Sequence, residues 1–183
     1  MTVGGSVPNR IAFNRNGILV ESSSDDNALF ANDLFSNDAL PIDLVASGSA
    51  PDGATPDDPN DGDSGGNALQ NFPVLSSALL DGPVIRIVGT LDVPAGNSSK
   101  IYGFAFYASA SCGSAPQGEV YLGAGNASLS GANQEFAIEL PAAAPIGGRI
   151  AATATAPSAG TSEFSFCITL AAGDHIFADG FDL

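Results

Sequence analysis

The chain has 183 residues, 20 acidic against 5 basic side chains, a net charge of −15 and a pI near 4.1. A surface this acidic repels phosphate backbones and anionic lipid headgroups, which excludes nucleic-acid and membrane-surface binding. With 14% charged residues, 44% hydrophobic residues, 22 Gly, 12 Pro and a single lysine (Lys100), a charged helical bundle and bulk disorder are excluded too, and the composition points to β-structure.

The first part spans residues 1–48. Short apolar groups alternate with Asn and Gly: Asn9-Arg-Ile-Ala-Phe-Asn14, Gly17-Ile-Leu-Val20, Asn27-Ala-Leu-Phe, Asn32-Asp-Leu-Phe-Ser-Asn37. The Ile11–Asn14 stretch is echoed at Leu34–Asn37, and Asn9/Asn14 at Asn27/Asn32. A repeat of about 18–23 residues matches one turn of a β-solenoid, with Asn and Gly at sharp corners and apolar side chains inside. An irregular Asn-rich hairpin region is the alternative. In a solenoid, Val3, Val7, Ile11 and Phe13 would lie at an open face that exposes unpaired backbone and apolar interior. Two coils bury too little core to stand alone. They should pack onto the rest of the chain, continue from upstream coils, or pair with another copy. Head-to-tail pairing would extend into a filament.

Residues 49–72 read as an acidic Asp/Gly/Pro linker, with five Asp between Asp52 and Asp63. Asp57, Asp58, Asp61 and Asp63 form a candidate calcium loop, since Ca²⁺ takes 6–8 oxygen ligands. The EF-hand spacing fails, because the twelfth position counted from Asp58 is Leu69 rather than Glu. A solvated linker is the alternative.

Residues 73–172 show six runs with strand character: 84–91, 101–108, 119–122, 135–140, 149–155 and 163–170. Tyr102, Phe104 and Phe106 should share one face, and so should Phe136, Ile138 and Leu140. Six or seven short strands in about 100 residues predict an antiparallel sandwich. Cys112 and Cys167 are the two cysteines. In a chain with so few charges they suggest one disulfide and an oxidising compartment; two buried thiols are the alternative. Residues 173–183 form a tail.

No catalytic residues are identified. The sole histidine, His175, lies in the tail, which leaves no Ser-His-Asp device and no zinc set. Lys100 stands in no phosphate-binding loop. Arg10 and Arg15 could be offered as the basic residue of a Ca²⁺-dependent polysaccharide lyase, yet two coils cannot build its groove. Asn97-Ser-Ser99 and Asn126-Ala-Ser128 are formal glycosylation sequons that read as turn sequences. No apolar run reaches the roughly 18 residues that cross a membrane. The start, Met1 to Arg10, has neither the basic region nor the apolar core of a signal peptide. Either export information is missing or the chain is a C-terminal piece.

These residues carry a resemblance. The runs Asn9-Arg-Ile-Ala-Phe-Asn14, Leu34-Phe-Ser-Asn37 and Pro41-Ile-Asp43-Leu44 resemble the last coils of bacterial right-handed parallel β-helix surface proteins. Asn67-Ala-Leu-Gln-Asn-Phe-Pro-Val74 and Thr161-Ser-Glu-Phe-Ser-Phe-Cys167 are similar to that family's more specific motifs. His175-Ile-Phe-Ala-Asp-Gly-Phe-Asp182 is similar to short C-terminal tails of proteins secreted by certain Gram-negative bacteria. The resemblance implies an all-β fold, a short right-handed parallel β-helix fragment followed by an antiparallel immunoglobulin-like β-sandwich, at an extracellular or cell-surface location. The family usually carries many more coils than the two read here. The expected function is non-enzymatic, structural or adhesive, with self-association or upstream β-helix coils as partners. The alternative is a carbohydrate-binding or calcium-dependent accessory module, with a glycan or cell-surface ligand. No cofactor other than calcium is a candidate.

Overall fold

A computed structural model of the chain describes residues 1–50, 53–96, 98–113, 115–144, 148–157 and 160–173. Asn97, with its sequon, and the tail from residue 174 onward, with His175, lie outside the described residues. Among these residues the protein is all-β, and no helix is long and apolar enough to cross a membrane.

The N-terminal segment winds twice. The first winding carries β1 (Thr2–Val3), β2 (Asn9–Ala12) and β3 (Ile18–Val20); the second carries β4 (Ala28–Leu29), β5 (Asn32–Phe35) and β6 (Ile42–Leu44). Each strand of the first lies parallel to its counterpart in the second, with Thr2 against Ala28, Asn9 against Asn32 and Ile18 against Ile42. Asn side chains link the windings. The Asn9 amide donates to Asn32 Oδ1 at 2.9 Å, and the Asn14 backbone N–H donates to Asn37 Oδ1 at 3.2 Å. Of the two echoes in the sequence, the one joining Ile11–Asn14 to Leu34–Asn37 is therefore the stacking register. Asn9 does not stack on Asn27. The interior also differs from expectation. Val3 and Ile11 point inward and are half-buried, but Val7 and Phe13 are 78% and 82% exposed. Phe13 occupies a corner with φ 61°, which turns its ring outward onto Phe35.

The rest of the chain forms two sheets around one core. β7 (Val74–Asp81), β8 (Val84–Leu91), β11 (Gln134–Pro141) and the short β15 (Ala171–Ala172) make one, in the order β11-β8-β7-β15. β9 (Lys100–Ser109), β10 (Val120–Leu129), β12 (Arg149–Ala156), β13 (Gly160–Thr161) and β14 (Ile168–Thr169) make the other, in the order β10-β9-β12-β13 with β14 also on β12. The pairings are antiparallel except β15 on β7. Tyr102, Phe104 and Phe106 of β9 meet Phe136, Ile138 and Leu140 of β11 across this core, as their period-2 spacing predicts. The opposite face of β9 and β12 does not meet solvent. Ala105, Tyr107 and Ala151, with Phe164, pack against Leu29, Leu34, Ile42 and Leu44 of the second winding. The windings are seated on the outside of a sheet.

Three strand expectations change. Val74–Asp81 is a full strand, although a bulge between Leu75 and Ser77 breaks its alternation. The run 119–122 continues to Leu129 through Gly123 and Gly125. The run 163–170 is mostly not a strand. Between β13 and β14, Ser162 Oγ and Ser165 Oγ accept the N–H groups of Ala154 and Ala152, each at 2.9 Å, so hydroxyls replace ladder carbonyls.

Candidate functional site where the windings meet the sheets

The second winding is closed on the side away from the first. At β4, Leu29 N–H donates to Thr161 Oγ1 at 2.8 Å, and Thr161 N–H donates to Asn27 O at 3.0 Å. At β5, Leu34 and Gly118 exchange backbone hydrogen bonds of 2.7 and 2.9 Å, Asn37 N–H donates to Gln117 Oε1, and Gln117 Nε2 returns a bond to Asn37 O. At β6, Leu44 N–H donates to Glu163 Oε1 at 3.0 Å, while Glu163 Oε2 accepts Thr55 N–H at 2.9 Å. Backbone groups at a strand edge must be paired once water is excluded, and this edge is paired largely by side chains from other segments. Thr161, Ser162, Glu163 and Ser165 are each at most 3% exposed. The run Thr161-Ser-Glu-Phe-Ser165 thus faces two ways. Thr161 and Glu163 cap the winding, Ser162 and Ser165 bond β12, and Phe164 fills the core between them.

Asn67 is the second anchor. Its Oδ1 accepts both the backbone and the side-chain N–H of Asn27, at 3.0 and 2.9 Å. Its amide donates to Asn27 O and to Thr161 O, at 3.0 and 2.8 Å. The residue is fully buried with φ 50°, a conformation that Asn tolerates better than most side chains. Gly160 lies against it with φ 99°, and a Cβ there would stand 2.5 Å from the Asn67 side chain. Cys112 and Cys167 are paired, with Cα atoms 6.2 Å apart. The bond joins the segment that leads to Gln117 and Gly118 to the one that follows Glu163.

The acidic segment is docked rather than free. Asp57 Oδ1 accepts Phe72 N–H at 2.9 Å, Asp61 Oδ1 accepts Asn71 N–H at 2.7 Å, and Asp58 Oδ1 accepts Gly62 N–H at 3.0 Å. Asn71 answers with Oδ1 to Asp58 N–H and Nδ2 to the carbonyls of Asp58 and Asp92. Burial pushes the Asp57 carboxyl up to about 7, against the Phe72 bond and with help from the charges of Asp61, Asp92 and Asp58. Burial raises Asp61 to about 6 in the same way, and it also raises Asp63. Among the described residues no three Asp, Glu, His or Cys side chains come together as a metal-holding group. The calcium expectation therefore has no coordination geometry behind it.

No family model matches the chain, and no curated protein matches it either.

The remaining chemical candidates are dispersed. The Arg10 guanidinium lies 4.9 Å over the Phe35 ring, an outward cation–π contact. Asn126 and Ser128 are exposed on β10 rather than in a turn. Asn126 borders an open hollow of about 250 Å³ with Phe30, Gly103 and Thr155. Sequence reasoning singled out the Asn67–Val74 and Thr161–Cys167 runs without giving them a role, and it missed Gln117 and Gly118. Only the Gly could have signalled itself: a Cβ at residue 118 would stand 2.8 Å from the rings of Tyr107 and Phe164.

Proposed function

We propose that the chain is a non-enzymatic structural module in which an immunoglobulin-like sandwich terminates a short right-handed parallel β-helix, at an extracellular or cell-surface location. One observation carries this reading. The second winding is closed by four side chains from three separate segments, Asn67, Gln117 and the pair Thr161 and Glu163, while each strand of the first winding has a partner on one side only among the described residues. A solenoid left open exposes a template for further strands, and a cap is the usual remedy. Supporting the location are the Cys112–Cys167 pair and the low charge content, which suit an oxidising compartment.

The test is amide hydrogen exchange on the full chain beside Asn67→Ala and Thr161→Val. Loss of protection confined to β4 and β6, with β8 and β9 unchanged, supports a cap. Equal loss across both sheets would overturn it and make the two residues ordinary core.

A further inference from the structure

The Cys112–Cys167 bond has one sulfur toward water and the other toward the protein. Cys112 lies between Ser111 and Gly113, and all three residues are exposed, whereas Cys167 is half-buried against the core shared by the windings and β9. Ser111 and Gly113 also border a polar hollow of about 300 Å³, together with Ser36, Ser109, Gln117 and Glu119. Part of this lining is engaged. Ser109 Oγ donates to Gln117 O, and the Gln117 amide is held by Asn37. The Ser36 and Ser111 hydroxyls make no hydrogen bond among the described residues. Glu119, the charged side chain of the lining, accepts Ala110 N–H on Oε2 at 3.3 Å.

From this placement we infer that Cys112 is a thiol–disulfide exchange site, reached through the hollow by a small thiol that carries an amino group. Exchange needs access to one sulfur of the pair, and exposed disulfides are the labile ones. Access selects Cys112. The small thiolate bonds to Cys112 Sγ, the Sγ–Sγ bond breaks, and its electron pair leaves with Cys167 Sγ, which takes a proton from water. A second small thiol then displaces the first as a small disulfide. Two thiols thus supply two electrons, and the chain ends with two thiols of its own. Charge selects the amino group: Glu119 and a net charge of −15 attract an ammonium and repel an anionic thiol. The Ser36 and Ser111 oxygens are there to accept its N–H groups. Resting on the capped-helix reading above, the bond is a latch on the cap. One half carries Gln117 and Gly118, which hold β5; the other carries Thr161 and Glu163, which hold β4 and β6. Opening the bond lets each half leave the second winding without the other.

The probes are cysteamine and 2-mercaptoethanesulfonate, thiols of equal chain length and opposite charge, applied to the native full chain. Reactions are quenched by alkylation, and peptide masses locate the adduct. Each rate is divided by that of the urea-unfolded chain, which cancels the thiol's own reactivity. The adduct should form on Cys112 with Cys167 alkylated, and cysteamine should be favoured by about threefold or more. Glu119→Gln keeps an acceptor for Ala110 N–H and should at least halve that preference. In the Cys112 adduct, amide exchange should quicken at Leu34 and Leu44 and stay unchanged at Ile87. A bond that neither thiol opens in the native chain, an adduct on Cys167, or equal relative rates would overturn the exchange site. Unchanged protection at Leu34 and Leu44 in the adduct would overturn the latch. Failure of the cap reading shows elsewhere, in the β4 and β6 amides of the Asn67→Ala chain.

Discussion

Asn67 does the work of a missing strand with one side chain. It makes four hydrogen bonds from a fully buried site and holds a positive φ. Asn67→Ala leaves the Asn27 N–H and the carbonyls of Asn27 and Thr161 short of partners, which should cost about 2–4 kcal/mol in a chemical-denaturation midpoint experiment. Glu163→Gln offers one acceptor where two N–H groups arrive, so one amide is turned donor-to-donor. A smaller loss, about 1–2 kcal/mol, is expected there. Asp57 and Asp61 act in the opposite sense. Their carboxyls titrate near 7 and 6 in the folded chain against 3.8 as the unperturbed value, because burial disfavours the charge. A raised carboxyl pKa means that the native state holds protons the unfolded chain has released. Their contribution is fully present below about pH 4 and is lost as pH rises through 6 and 7. Melting temperature should therefore be higher at pH 5 than at pH 8. Asp57→Asn keeps the acceptor for Phe72 N–H and removes the charge, so it should flatten that dependence. After allowance for solvent screening of a half-exposed group, a gain of about 1 kcal/mol at pH 8, or about 2–4 °C, is expected. A melting temperature that is constant from pH 5 to 8 would show these carboxyls to be solvated.

The elements divide by how their pattern was made. The windings were legible because the same residues recur where ladders stack, Ile11 with Leu34 and Asn14 with Asn37. β8 and β11 were legible because their inward faces are core and their outward faces are more exposed, and β9 and β12 as near-continuous apolar runs because both of their faces are covered. The sandwich-side half of the junction was not legible, for a physical reason. The run 163–170 alternates apolar and polar residues as a strand does, yet beside the backbone bonds of Ser162 and Ser165 it is the hydroxyls of Thr161, Ser162 and Ser165 and the Glu163 carboxylate that take the N–H groups of Leu29, Ala154, Ala152 and Leu44. β10 was cut short at Leu122 because Gly-Ala-Gly-Asn has the composition of a turn. Gly125 is there for packing. A Cβ at that position would stand 2.6 Å from Ile138 Cγ2, so the β10 backbone lies directly on the β11 side chain. Gly125→Val should force these strands apart and lower stability by about 1–3 kcal/mol, an overpacking cost. An unchanged melting temperature would mean that Ile138 swings away.

At the scale of the molecule, two bodies that read as separate in sequence share a core. Composition could not show this, because the outer face of β9 and β12 carries Ala105, Tyr107, Ala151 and Thr153, small or amphipathic residues equally at home in a solvated sheet. The Cys112–Cys167 bond spans a sequence separation of 55 and ties the β5 cap to the β6 cap. In protein matured in an oxidising compartment, intact mass should rise by about 2 Da on reduction. Two alkylatable thiols before reduction would exclude the bond. Cys112→Ser with Cys167→Ser should loosen the junction ahead of the sandwich core, read as faster exchange at Leu34 than at Ile87.

The cap is also a matter of timing. The windings occupy the first 45 residues, but the groups that close them arrive at residues 67, 117–118 and 161–163. Made from the N-terminus, the chain carries an open strand edge until nearly nine-tenths of it exists, and contacts this distant in sequence form late. A nascent or prematurely ended chain that stops short of Thr161 presents strand edges on both sides of the windings, which is the form that sticks to its neighbours. The last buried segment therefore works as a completeness check, because only a chain made through Glu163 can close its own second winding.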